Sequence, residues 1–287
     1  MNLRICPCCG GSLKPGLLAW HFSCANCDYE ASTLAPRINE LEARAKIDES
    51  QREAALHEIR LSNFSRLVDD IRLLVPESGA SMVDVGSAHG WFVEIAKRYF
   101  QVIGIEPDEE IAQSATARGL PIRHGFFPDA LVDGEKFRVI VFNDVFEHIR
   151  DVDDVVVACR MHLVDDGLLV LNLPNVQGLY YRISKFVARL GVTGPFRRMW
   201  QEELPSPHLH YFSAASLKSL VARHGFLLER LEELPAASVR GLWHRVRYAP
   251  SPNVLMDFVL FVGALIVLPL SRLTSSDTVV LFFRRAS

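Results

Sequence analysis

Five of the six cysteines lie within the first 27 residues, and their spacing is typical of a metal site. Two CxxC turns, separated by fourteen residues, can supply four thiolates that converge tetrahedrally on Zn²⁺. The four candidate ligands are Cys6, Cys9, Cys24 and Cys27. We therefore expect a structural zinc ribbon over residues 1–34, while free or redox-active thiols are the competing interpretation. The spacing leaves the role of Cys8 open.

A glycine turn and an acidic residue form a second candidate site. The apolar run that contains Asp84 leads into the turn Gly86 to Gly90, and Glu106 closes the next run, 22 residues after Asp84. A carboxylate in that position can accept hydrogen bonds from both ribose hydroxyls of a nucleoside. Trp91 occupies the third glycine position of a dinucleotide fingerprint, which disfavours a pyrophosphate. A nucleoside without phosphates remains, and this points to S-adenosylmethionine (SAM).

The elements that would position this site alternate between short apolar runs and helical patterns after Pro76. The apolar runs cover residues 81–85, 101–105, 120–123, 137–142, 168–173, 226–231 and 278–283. Such alternation indicates an α/β fold with a mostly parallel sheet that helices cover on both faces. Ligands of these sheets bind beyond the carboxyl ends of the strands.

Several motifs in this order resemble those of class I SAM-dependent methyltransferases. They are the turn Asp84-Val-Gly86 with Gly90, the acid Glu106, and the segment Asn143-Asp144-Val-Phe-Glu147-His148-Ile. Together with His208-Leu-His210-Tyr-Phe-Ser, they resemble the small-molecule group that includes ubiquinone-pathway O-methyltransferases. The resemblance covers residues 62–235 and 277–285.

The resemblance implies a Rossmann-like seven-stranded sheet with an antiparallel last strand, preceded by the zinc ribbon and a helical connector. It implies SAM contacts at Asp84, Gly86, Gly90, Glu106, Gly125, Phe126, Asn143 and Asp144. Of these, Glu106 would hold the ribose, and Gly125 and Phe126 would lie near adenine. Ala88 replaces the middle glycine of the usual loop, and its methyl group could crowd the cofactor.

A hydroxyl acceptor must lose its proton near the transition state, and histidine is the side chain best suited to remove it near neutral pH. His148 follows the fourth predicted strand at the rim where the cofactor should lie, and His210 is the second candidate base. For either one, a structural histidine is the alternative.

The charged segment 35–61 favours a solvated helical connector. We assign residues 62–287 to the methyltransferase domain, with inserts at 176–207 and 242–273. The first insert has apolar residues three and four apart and a basic opposite face, which indicates either a helix on an anionic membrane surface or a lid over the active site. Its basic residues include Arg182, Lys185 and Arg189.

The second insert contains residues 254–270, whose only charge is Asp257. A membrane span would separate the last strand from its sheet, so shallow insertion is favoured over a buried helix. A net charge of −3 argues against nucleic acid as a partner. The absence of a signal-peptide pattern predicts a reducing cytoplasm, and the inserts predict a peripheral position on the inner face of the membrane.

These features predict a methyltransferase that uses SAM and contains structural Zn²⁺. The predicted acceptor is a small or lipid-linked molecule at the membrane surface, methylated on oxygen. Two alternatives remain: an RNA methyltransferase with a zinc ribbon, and a non-catalytic membrane-associated adaptor.

Overall fold

In a computed structural model, residues 5–37, 49–235, 242–247, 254–271 and 274–286 are described. The main element is a seven-stranded sheet. Its strands in chain order are β4 (Ser81–Val85), β5 (Gln101–Glu106), β6 (Ile122–His124), β7 (Phe137–Asn143), β8 (Leu163–Pro174), β10 (Phe226–Leu234) and β11 (Thr278–Arg285). Across the sheet they lie in the order β10-β11-β8-β7-β4-β5-β6. Strands β4 to β8 run parallel, and β11 pairs antiparallel with both β8 and β10. The predicted sheet and its antiparallel last strand are thus confirmed.

Helices cover both faces of this sheet. In chain order the helices are α1 (Glu49–Leu74), α2 (Trp91–Ala96), α3 (Glu109–Ala117), α4 (Val152–His162), α5 (Leu179–Arg189), α6 (Gly194–Met199), α7 (Ala214–Ala222), α8 (Leu242–Arg247) and α9 (Val254–Ser271). Helix α1 packs on one face through Phe64, Leu67 and Ile71, whose spacing of three and four residues places them on one side. The helix ends before Pro76, which cannot continue its hydrogen bonds.

The proposed boundary between connector and methyltransferase domain falls inside α1, because this helix runs unbroken past residue 61. Residues 38–48 of the proposed connector lie outside the described residues. The domain division therefore stays a prediction, since one helix belongs to both of its segments.

The N-terminal ribbon is built into the rest of the molecule. It contributes β1 (Leu13–Pro15), β2 (His21–Cys24) and β3 (Glu30–Ser32) to a second, antiparallel sheet, and β3 pairs with β9 (His210–Tyr211). Tyr29 and Ala31 are fully buried in the same apolar core as the interior of the large sheet. The ribbon is therefore packed as part of the domain.

The first insert also packs against the ribbon. Trp20 of the ribbon lies against Phe196 and Trp200 of the insert, with ring centroids 6.3 and 5.6 Å away. Phe196 and Trp200 are fully buried, and burial of an aromatic side chain of this size contributes about 1.5–3 kcal/mol. No helix in the described part of the chain has the length and apolar character that crossing a membrane requires.

Candidate active site and metal centre

The glycine turn after β4 has the conformation that its sequence requires. Gly86 has φ 72°, and a Cβ there would lie 2.4 Å from a methyl carbon of Val145. A larger residue would therefore displace Val145. Ala88 follows the same path with φ 45°, in the left-handed region that costs a non-glycine residue about 1–2 kcal/mol. The loop thus has a glycine-like course although its middle residue is alanine.

Glu106 ends β5 beside this turn. Its Oε2 accepts the Ala88 N–H and its Oε1 accepts the Asp108 N–H, both at 2.8 Å. These two bonds fix the carboxylate and leave each oxygen a further lone pair for a hydroxyl donor. Burial raises the pKa of Glu106 above its ordinary value, while the two backbone donors partly offset this effect. The geometry fits a group that binds the ribose of SAM.

Asp84 lies on β4, the strand next to the one that ends in Glu106, and is 1% exposed. Its Oδ1 accepts a hydrogen bond from Nδ2 of Asn143, which ends β7, at 3.0 Å. Burial raises the pKa of Asp84 to about 8. Within the described residues no cationic side chain pairs with this carboxylate, so its surroundings suit a ligand that carries positive charge. SAM is such a ligand.

The remaining predicted SAM contacts lie at the same edge of the sheet. Gly125 follows β6, and its N–H donates to the backbone carbonyl of Glu106 at 3.0 Å. Phe126 is 55% exposed, so its ring is available to a ligand. Asp144 has φ 54°, and its carboxylate lies 3.4 Å from the guanidinium of Arg60 on α1. Among the eight predicted contacts, hydrogen bonds join Asp84 to Asn143 and Gly125 to Glu106, and Gly86 and Gly90 lie in the turn after β4. That all eight contact one ligand stays a prediction.

His148 lies at the end of a short 3-10 helix, Phe146–His148, at this edge. Its Nδ1 is 2.8 Å from the backbone carbonyl of Pro207. A carbonyl only accepts, so the ring proton lies on Nδ1 and Nε2 carries the lone pair. The Nε2 atom is 3.8 Å from Oε1 of Glu147.

Glu147 is a site residue that our sequence reasoning missed. It is 1% exposed, and neither of its carboxylate oxygens has a hydrogen-bond partner. Burial raises the pKa of Glu147 well above its ordinary value, and burial lowers that of His208, whose Nε2 lies 3.9 Å from Oε1 of Glu147. The ligand atoms of Glu147, His148 and His208 all lie within 4.8 Å of one another, so this group could hold a divalent cation.

The structure places His210, the second predicted base, away from any solvent. Its Nε2 lies 2.8 Å from the backbone carbonyl of Ile149, and its Nδ1 accepts a hydrogen bond from the hydroxyl of Tyr29. Burial lowers the pKa of His210 to about 4. With both nitrogens bonded and the ring fully buried, His210 is in no position to take a proton from an acceptor. It instead fastens the ribbon to the segment after His148.

The four predicted zinc ligands converge in the ribbon. Their sulfur atoms lie within 4.8 Å of one another, with Cys6 and Cys27 3.7 Å apart and Cys9 and Cys24 3.4 Å apart. A tetrahedral Zn²⁺ with bonds of about 2.3 Å requires sulfur separations of about 3.8 Å. The arrangement therefore fits a zinc ion.

Backbone N–H groups support the thiolates of this centre. The Cys8 N–H lies 3.4 Å from Sγ of Cys6, and the Asn26 N–H lies 3.3 Å from Sγ of Cys24. Gly10, with φ 72°, permits the tight turn after the first CxxC pair. The Cys8 side chain is buried in the apolar core, and burial raises its thiol pKa, so Cys9 rather than Cys8 completes the set.

Fold and site together are those of a Rossmann-like methyltransferase domain. A family model described as a methyltransferase domain matches residues 56–231, and the chain belongs to this family.

Two curated relatives match the same region. The mitochondrial ubiquinone biosynthesis O-methyltransferase of Bos taurus is 22% identical over 182 residues, which are 59% of this chain and 47% of the relative. The C-methyltransferase NovU of Streptomyces niveus is 26% identical over 172 residues, 57% of this chain and 36% of the relative. The chain thus spans less than half the length of these relatives.

Solved structures show the same fold. The cyclopropane synthase MmaA2 from Mycobacterium tuberculosis superposes with a TM-score of 0.55 at 17% identity, covering 76% of this chain and 84% of that one. A geranyl diphosphate methyltransferase in complex with SAM gives a TM-score of 0.55 at 16% identity, covering 87% and 94%.

Proposed function

We propose that the protein methylates a hydroxyl group of a small or lipid-linked molecule at the inner surface of the membrane, with His148 as the general base. When bound, SAM supplies a methyl group that its sulfonium already activates. Glu106 holds the ribose, Asp84 and Asn143 lie beside the positive end, and the glycine turn admits the cofactor. The observation that supports this proposal best is the pairing of Glu106 with the Ala88 N–H, because it fixes an acceptor for ribose next to the turn.

The chain's contribution to the reaction is positioning and proton transfer. An acceptor must lie in line with the bond that breaks, which is chiefly a matter of proximity. Nε2 of His148 takes the hydroxyl proton, while its Nδ1–H remains bonded to Pro207. Oε1 of Glu147, 3.8 Å from Nε2, faces the imidazolium that forms.

An exposed apolar face supports action at a membrane. On α9, Leu255, Phe258 and Ile266 are 69, 53 and 65% exposed, while Asp257, the only charge of this segment, is buried on the opposite side. The hydroxyl of Tyr180 on α5 donates to the carbonyl of Ala264 at 3.4 Å, which joins α5 to α9. Large contiguous apolar surfaces of soluble domains are usually interaction sites.

Two measurements test this proposal. Calorimetry should show SAM binding to the zinc-loaded chain, and no binding would refute the enzyme assignment at this site. Lipid extracts incubated with SAM and the protein should contain a product heavier by one methylene group, absent with His148→Asn. Preferential methylation of RNA, with a steep dependence of binding on salt, would support the RNA alternative instead.

A further inference from the structure

A cavity of about 760 Å³ lies between the ribbon and helix α5, outside the predicted SAM contacts. The ribbon contributes Asp28 and Glu30 to its wall, and α5 contributes Arg182, Phe186 and Arg189. Neither the family resemblance nor the proposed reaction accounts for this space.

The two carboxylates of the cavity already have partners. Oε2 of Glu30 is 2.6 Å from Nε2 of His21 and 2.7 Å from the Tyr181 hydroxyl, and Oε1 pairs with Lys185. Burial alone would raise the pKa of Glu30, but the hydrogen bond from His21 and the charge of Lys185 bring it below its ordinary value. Asp28 accepts the side-chain amide of Gln177 at 2.8 Å. The negative charge in the wall is therefore largely compensated within the protein.

The two arginines of the cavity, Arg182 and Arg189, differ from these carboxylates in their interactions with the rest of the protein. Arg182 and Arg189 are exposed, and the described residues provide no ion pair or hydrogen bond to either guanidinium group. No acid occurs between Asp166 and Glu202 in the sequence, so α5 contains no negative charge. A guanidinium fork is the protein group best matched to the oxygens of a phosphate. The cavity is thus suited to a phosphate-bearing ligand.

The cavity opens onto apolar surface. Phe186, 58% exposed, lies in its wall, and Leu190, 69% exposed, directly follows the last residue of this helix. The Tyr180 hydroxyl at the start of α5 donates to the Ala264 carbonyl, so α9, which has exposed apolar residues of its own, lies next to α5. A ligand with its phosphate at the arginines could therefore lay an acyl or prenyl chain along α5 and α9.

The cavity is also close to the catalytic edge of the sheet. Asn172 on β8 pairs with Asn143, and Val176, four residues further along the chain, lines the cavity. One wall of the cavity therefore begins at the same end of the sheet where β7 ends with Asn143.

We propose that this cavity binds the phosphate group of a membrane lipid, with Arg182 and Arg189 as its ligands and Phe186 against the start of the lipid tail. This inference rests on the proposed function, because it names the class of acceptor, or of lipid carrying the acceptor, that is presented to the SAM site. A carboxylate offers a guanidinium group one bidentate pair, whereas a phosphomonoester has three oxygens and up to two negative charges, so it can engage both arginines more strongly.

The test measures binding of the zinc-loaded full chain to phosphatidylcholine vesicles that contain either phosphatidic acid or cholesteryl hemisuccinate, matched in surface potential. We expect at least a tenfold preference for phosphatidic acid. Each basic side chain near an anionic surface contributes about a fivefold gain, so Arg182→Gln/Arg189→Gln should weaken binding to phosphatidic acid vesicles about 30-fold and abolish the preference. The charge-matched control Lys97→Gln/Arg98→Gln, which alters exposed residues after α2, should keep the preference.

Three results would overturn the inference. The first is equal binding of the wild-type chain to both kinds of vesicle, and the second is a preference for phosphatidic acid that survives in the arginine variant. The third is that inorganic diphosphate binds as tightly as the vesicles and that Phe186→Ser does not change vesicle binding. The last result would indicate a soluble phosphate ligand. Calorimetry with SAM on the same samples separates this inference from the proposed function. Intact SAM binding with failed lipid discrimination refutes only the lipid site, and absent SAM binding refutes the enzyme assignment.

Discussion

Replacement of Glu106 by glutamine tests the cofactor site most directly. The change keeps the size of the side chain but removes its charge and replaces one oxygen by an NH₂ group. Since each oxygen of Glu106 accepts a backbone N–H, the NH₂ group must face a donor, at either Ala88 or Asp108. The variant therefore loses an acceptor within the loop as well as one for ribose.

The expected size of the effect follows from these contacts. Hydrogen bonds to charged groups contribute about 1.5–3 kcal/mol each, and a buried donor left without a partner costs about 1–3 kcal/mol. The loss at ribose should amount to about 3 kcal/mol, which corresponds to binding of SAM about 150-fold weaker. The free energy of unfolding should fall by about 2 kcal/mol, because one backbone N–H remains unpaired.

Calorimetry with SAM and with S-adenosylhomocysteine measures this prediction, and both ligands should lose the same factor because they share the ribose. Glu109→Gln is the matched control, since Glu109 is exposed at the start of α3 and its carboxylate accepts a bond from the exposed Gln113. A decrease in SAM affinity below about fivefold in Glu106→Gln would refute the assignment of this carboxylate to the ribose.

Further predictions concern the charge of Asp84, the zinc site, the role of His148 as a base and the attachment of the ribbon through Tyr29. Because burial raises the pKa of Asp84 to about 8, SAM affinity should increase from about pH 6 towards 8. The unliganded chain should lose stability as the pH rises from the ordinary carboxyl pKa through 8. In calorimetry and thermal melts, Asp84→Asn should reduce both dependences, and the buried carboxyls of Glu106 and Glu147, whose pKa values are also raised, account for the remainder. Elemental analysis should find one zinc per chain, lost in Cys9→Ser and kept in Cys8→Ser. His148→Asn should lower kcat about 10²–10⁴-fold without weakening SAM binding, and an unchanged kcat would exclude His148 as the base. Tyr29→Phe should cost about 1–3 kcal/mol in chemical unfolding, because it leaves Nδ1 of His210 buried without a donor.

Much of the fold was predictable because it is encoded by local pattern. The predicted run 81–85 coincides with β4, and the last predicted strand, 278–283, lies within β11. Both were predictable because strands that are buried on both faces of a sheet are continuous apolar segments. The predicted run 168–173 is shorter than β8, because Asp165 and Asp166 interrupt its apolar character at an irregularity in the register, beyond which Leu163 pairs again with β7. Local pattern cannot report such pairing.

The site was predictable where a motif fixes it and less so where distant residues meet. The glycine turn, Glu106 and the four thiols follow from spacing along the chain. Arg60, on α1, contacts Asp144, which lies 84 residues further along the chain, and no pattern in either segment indicates the contact. The sequence around His210 is compatible with a base, because it gives no sign that the distant Tyr29 hydroxyl donates to Nδ1 of this ring. For Glu147, the signal in the sequence is an acidic residue between Phe146 and His148, in the segment that follows the fourth predicted strand.

The pairing of β3 with β9 has a consequence for biosynthesis. Tyr29 and His210 are 181 residues apart in the sequence. At about 5–20 residues per second, a ribosome needs roughly 10–40 s to deliver β9 after the ribbon has emerged. During that interval β3 is an open strand edge, which invites pairing with other chains. Metal bound to the nascent thiols would hold the half-built ribbon in shape through this delay. Zinc supply at the moment of translation should therefore govern how much of the protein reaches its final structure.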